Sequence, residues 1–156
     1  MAPAIGVPTF AWGAAHGAEW ESRAASIPEV FSVAAREGKE GAEKGKEKPS
    51  SSTKPTAQTY VKVLNAITPG LLGPYDASRS LAALAPRPLL IANGGGDGRN
   101  PLGALDNAVE RARKVYELES KGDNLEYFLD PRAEHEYTPV LEEKVDSWLD
   151  GWLLRK

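Results

Sequence analysis

The chain has 156 residues, no cysteine and a formal charge of −3, with an isoelectric point near 5.5. Lack of cysteine excludes a disulfide framework, a thiolate metal site and a cysteine nucleophile, and the acidic balance argues against a nucleic-acid partner. No apolar run approaches the roughly 18 residues of a membrane span, and the opening MAPAIGVPTF lacks the basic and long apolar regions of a signal peptide. The expectation is one domain, or part of one, with no membrane partner, in a reducing compartment such as the cytoplasm.

In chain order, Ala4 to Phe10 is short and apolar but broken by Gly6 and Pro8, and reads as a strand or strand remnant. Trp12 to Glu21 reads as loop or short helix. Ser26-Ile27-Pro28-Glu29 starts a helix: serine can cap, proline is tolerated in the first turn, and Glu29 sits as in a capping box. Ile27, Val30, Phe31 and Ala34 then share one face at helical spacing. From Arg36 to Gln58 lysine and glutamate alternate and large apolar residues nearly vanish. Such a segment cannot offset its ordering entropy and is expected to be a disordered surface insertion over 37–58. A tolerated loop is favoured there over a docking role for Ser50 to Thr53.

Order resumes at Thr59. Tyr60, Val63, Leu64 and Ile67 mark a helix face that Pro69-Gly70 ends. Leu71 to Leu84 is a connection, and Leu89 to Ala92 is a continuous apolar run, as in a parallel strand covered on both faces. Pro101 opens a helix whose apolar set is Leu105, Ala108, Val109, Ala112, Val115 and Tyr116, with Glu110 and Lys114 paired on its wet face. Asn124 to Leu129 reads as the next strand. Thr138 caps a last helix with Pro139 at its first position, and Leu141, Val145, Trp148, Leu149 and Trp152 line its buried stripe. Strand, helix, strand, helix in this order calls for an α/β fold with about three parallel strands and right-handed crossovers.

The chemistry converges on two residues. Leu89 to Ala92 runs into Asn93-Gly94-Gly95-Gly96-Asp97, so Asp97 sits at a strand's carboxyl end, where open α/β sheets bind ligands. His135 follows the next strand, and adjacent parallel strands bring both loops to one edge. A carboxylate beside a histidine fixes its tautomer and stabilises the imidazolium formed when it takes a proton. Other readings stand beside this one. Asp97 can serve as a turn residue, and His135 as a surface loop histidine. The glycines lack the Gly-Lys-Ser/Thr or dinucleotide spacing of a phosphate cradle. His16 has no comparable context, Glu134 and Glu136 read as solvated, and Trp148 and Trp152 read as core.

From Ala85 onward these residues resemble the last third of an α/β-hydrolase of the dienelactone-hydrolase and prolyl-oligopeptidase-like branch. The shared pattern is Ala85-Pro86-Arg87-Pro88-Leu89-Leu90-Ile91, a Gly-x-x-Asp turn at Gly94 to Asp97, a Pro-Leu helix start, a strand, a histidine and Trp-Leu-x-x-Trp-Leu. Trp20-x-x-Arg23-x-x-Ser26-Ile27 and Ile67-x-Pro69-Gly70-Leu71 resemble a plant-type subgroup of uncharacterised α/β-hydrolases. The resemblance implies a partial hydrolase domain over 1–156, with the 37–58 insertion in its cap region. It further implies that Asp97 is the triad acid and His135 the triad base of a serine-dependent hydrolase. That enzyme would act on carboxylic esters, amides or short peptides and use no cofactor or metal. The departure is large: no Gly-x-Ser-x-Gly elbow occurs in the sequence. The nucleophile segment is expected upstream of Ala4, and the chain alone is expected to be inactive. The alternative expectation is a non-catalytic remnant or interaction module that associates through an open sheet edge.

Overall fold

Why each stretch adopts its conformation is clearest in its caps and its buried faces. In a computed structural model, residues 9–16, 21, 27–40 and 55–154 are described. They divide into two compact units, one of those between 10 and 73 and one of Thr9 with 74–154.

The 10–73 unit holds helices α1 (Phe10–His16), α2 (Pro28–Glu40) and α3 (Ala57–Ile67). Thr56, in extended conformation, caps α3 by accepting the Thr59 amide at 3.2 Å, which satisfies one of the amides a helix start leaves unpaired. Tyr60, Val63 and Leu64 pack with Phe31, whose ring stacks on that of Tyr60 at 5.7 Å. This differs from the expected α2 stripe. Phe31 and Ala35 are buried and Ala34 is half-buried, but Ile27 and Val30 are each 44% exposed. The helix begins at Pro28, so Ile27 precedes it, and the stripe runs one turn further along the chain, at i, i+3 and i+4 from Phe31. Ile67, the last residue of α3, is likewise exposed.

The charged segment also has narrower bounds than expected. Residues 36–40 continue α2, where Arg36, Glu37, Lys39 and Glu40 are good helix formers, and Ala57-Gln58 begin α3 behind the Thr56 cap. Residues 41–54 lie outside the described residues. So do residues 4–8 of the expected first strand, and Phe10 opens α1 in an alanine-rich run instead of closing that strand.

In the other unit Asp76 caps the single turn α4 (Ala77–Ser80), accepting the Ser78 amide at 2.9 Å. A short turn at Ala82–Leu84 leads to strand β1 (Leu89–Gly94). Helix α5 (Leu102–Leu118), strand β2 (Leu125–Asp130) and helix α6 (Pro139–Leu153) follow. The strands pair in parallel, Leu89 opposite Leu125 through Gly94 opposite Asp130. Leu89 and Ile91 point to one face and pack on Leu105, Ala108, Val109, Ala112 and Tyr116 of α5. Leu90 and Ala92 point to the other and pack on Leu141, Val145 and Trp148 of α6. Alternation along a strand with a helix on each face explains the unbroken apolar run.

Strand β2 obeys the same alternation. Tyr127 reaches Asp106 of α5, while Glu126 pairs with Lys144 of α6 and Phe128 packs on that side. The Tyr116 hydroxyl donates to the Arg87 carbonyl at 2.6 Å and Asn124 to that of Pro86 at 2.7 Å, tying the lead-in to β1 in place. Of the three expected strands the structure describes these two, and all six residues of β1 are buried. No helix among the described residues is long and apolar enough to cross a membrane.

Candidate functional site

Asp97 lies just past the end of β1 with its side chain wholly buried. A buried carboxylate needs donors, and five converge on it. Oδ1 accepts the backbone amides of Arg99 at 2.8 Å and Asn100 at 3.1 Å, which makes an Asx turn. Oδ2 accepts the side-chain amides of Asn93 at 3.2 Å and Asn100 at 3.1 Å, and meets His135 Nδ1 at 2.9 Å. Two readings of Asp97 from sequence, turn residue and histidine partner, therefore hold together, one on each oxygen. Burial pushes the Asp97 carboxyl up, but the hydrogen bonds from His135, Asn100 and the Arg99 and Asn100 amides outweigh it and hold the group below the usual carboxylate range.

The glycines bring His135 there. After β2 the chain turns back over the Gly94–Gly96 segment at van der Waals distance. A Cβ on Gly94 would lie 2.5 Å from the Ala133 carbonyl oxygen and nearer still to that of Glu134, and one on Gly95 would lie 3.1 Å from the Pro131 Cα. The Gly95 amide donates to the Asp130 carbonyl at 2.7 Å and the Gly96 amide to that of Ala133 at 2.9 Å. The Asp97 amide donates to the Gly94 carbonyl at 3.4 Å. These three amides are thus taken by the protein's own backbone and are not free to cradle a phosphate. The glycines serve close approach of two loops.

The chemistry follows from the charge state. An ionised carboxylate only accepts, so the proton in the Asp97–His135 bond sits on Nδ1. The neutral imidazole then keeps its lone pair on Nε2, which makes no hydrogen bond among the described residues. The Asp97 side chain is sealed, while the His135 side chain is 33% exposed. The pair can take a proton at Nε2 from an incoming group, with the fixed negative charge stabilising the cation formed.

Sequence reasoning brought Asp97 and His135 together but missed Asn93 and Asn100. Only the spacing Asp97-x-x-Asn100 hinted at a turn closed by a side chain. His16 belongs to the other unit, with Nδ1 2.9 Å from the Trp12 carbonyl and its ring stacked on Trp12. Trp148 and Trp152 pack with the α6 face of the sheet, as core. A shallow hollow lined by Glu142, Glu143, Asp146 and Asp150 is made by α6 alone and includes neither Asp97 nor His135. Among the described residues no three His, Asp or Glu side chains gather to hold a metal ion. Comparison with protein-family models, with curated proteins and with solved structures finds no match to this chain.

Proposed function

We propose that the chain carries the acid and base of a serine-dependent hydrolase of the α/β-hydrolase type, with carboxylic esters, amides or short peptides as its substrate class. The observation that carries this reading is the 2.9 Å bond between His135 Nδ1 and the sealed Asp97 side chain, with the imidazole's second nitrogen making no hydrogen bond among the described residues. Asp97 is the positioning carboxylate. His135 accepts the nucleophile's proton at Nε2 and returns it to the leaving group. The nucleophile is a serine on an elbow outside these residues, since no Gly-x-Ser-x-Gly occurs in the sequence.

The test is to sequence the transcript upstream of the Met1 codon and to express whatever open frame it extends. An in-frame Gly-x-Ser-x-Gly ahead of a helix, whose serine reacts with a fluorophosphonate, is the expected result. An in-frame stop with no elbow counts against it. The missing elbow favours a second reading for the chain alone, a non-catalytic module that associates with another chain through a sheet edge. Sedimentation over a wide concentration range separates the two: growth in mass supports the module, and a monomer throughout opposes it.

A further inference from the structure

A second buried carboxylate stands beside the first. Asp130 ends β2 and is 3% exposed. Its Oδ1 accepts the Arg132 amide at 3.0 Å, and its Oδ2 accepts the Thr138 hydroxyl at 2.8 Å. Its own carbonyl accepts the amides of Gly95 at 2.7 Å and Ala133 at 3.3 Å. The residues it touches bracket His135. Arg132 and Ala133 begin the loop, Thr138 ends it, and Gly95 belongs to the turn that carries Asp97. Thr138 in turn caps α6, accepting the Leu141 amide at 3.3 Å. Asp130 therefore closes the loop 131–137 into a ring, pinned at both ends to one residue and across the sheet to the Asp97 turn.

We infer that Asp130 is a further positioning residue for His135: it fixes the span of the loop so that the imidazole meets Asp97. This deepens the proposed hydrolase site and takes its functional meaning from that reading. The division of labour is visible in the contacts. Asp97 is held by residues 93–100, apart from His135 itself, so no bond of its cage comes from the Asp130 side chain. His135 makes no other hydrogen bond among the described residues, so its place depends on the loop. Asp130 touches no reacting group and acts only through His135.

The readout is the low-field proton resonance of His135 Nδ1–H in its bond to Asp97, which needs no substrate and no serine. It is followed in the full 156-residue chain and in Asp130→Ala, Asp130→Asn and Thr138→Val variants. The resonance should be present in the wild type. It should vanish, or exchange at least about tenfold faster, in Asp130→Ala and Thr138→Val while the β1 and α5 amides stay protected. In Asp130→Asn it should return, because asparagine keeps the acceptor for Arg132 and a partner for Thr138.

A resonance unchanged in Asp130→Ala or Thr138→Val overturns the inference, and so does its loss in a folded Asp130→Asn. Should neither disrupting variant fold, the wild type decides. The Arg132 amide and the His135 Nδ1 proton should exchange in one opening event, and a His135 proton that exchanges while Arg132 stays protected overturns the claim. A wild type with no low-field resonance overturns both the inference and the pairing beneath it. A chain that shows the resonance and its loss, yet has no hydrolase elbow upstream, overturns only the hydrolase reading.

Discussion

Asp97 does two tasks with one carboxylate: Oδ1 closes the turn, and Oδ2, facing three donors, needs the charge. Asp97→Asn places an amide donor against donors from Asn93, Asn100 and His135, so the chain should lose about 1–3 kcal/mol of stability by urea unfolding. The pH dependence has a definite sign. The folded carboxyl titrates below its ordinary value, so its stabilisation is complete above about pH 4 and is lost as pH falls through the lowered value. Asp130 contributes with the same sign, held down by the Arg132 amide and the Thr138 hydroxyl. The urea midpoint should therefore fall in acid, and Asp97→Asn should flatten that limb. A mutant limb as steep as the wild type's would contradict the assignment. Asp97 and His135 were legible because strand ends and the loops after them follow from hydropathy and glycine placement. Asn93, Asn100 and Asp130 were not, because which donors gather round a buried oxygen depends on how two loops close on each other. No periodicity encodes that.

Helices declare themselves by burial, and strands by where they must stop. Helix α5 followed its i, i+3, i+4 set, with Leu105 and Ala112 fully buried and the Glu110–Lys114 pair at 2.8 Å on its wet face. Leu105→Ala should cost about 2–5 kcal/mol by chemical denaturation; a cost under half of the lower figure would mean that the α5 face is not the core of this unit. The β1 strand runs two residues further than its apolar run suggests. Asn93 and Gly94 still pair with Leu129 and Asp130, and only there does the returning loop demand a residue without a Cβ. Gly94→Ala should accordingly destabilise by about 1–3 kcal/mol and shift His135 off Asp97, visible as changed imidazole chemical shifts. Unchanged shifts would show that the close approach does not set the histidine. The buried side of α2 differs from the expected stripe because apolar residues alone do not say which side faces inward. Ile27, Val30 and Phe31 are similar in hydropathy, and the partner Tyr60 decides.

At the scale of the molecule, the strand, helix, strand, helix order carried the parallel pairing and the helix on each face of the sheet. That Phe31 gathers with Tyr60, Val63 and Leu64 in a core of their own was not legible, because the charged segment divides them in sequence. Acid and base without a nucleophile give a definite expectation for activity. The purified 156-residue chain should not be labelled stoichiometrically by a fluorophosphonate, whereas stoichiometric labelling would reveal a nucleophile among its own serines. In a longer protein that supplies the elbow, Asp97→Asn should lower kcat by about 10⁴-fold with the fold intact, since the wrong tautomer then faces the serine.

The central claim is that Asp97 holds His135 with its proton on Nδ1 and its lone pair on Nε2. The most direct measurement is the ¹⁵N–¹H long-range correlation spectrum of the histidine rings at a pH where His135 is neutral. A protonated Nδ1 and an unprotonated Nε2 on His135, shifting towards the opposite tautomer or a mixture in Asp97→Asn, is the predicted result. A His135 ring that carries its proton on Nε2, with the same spectrum in the variant, would contradict it.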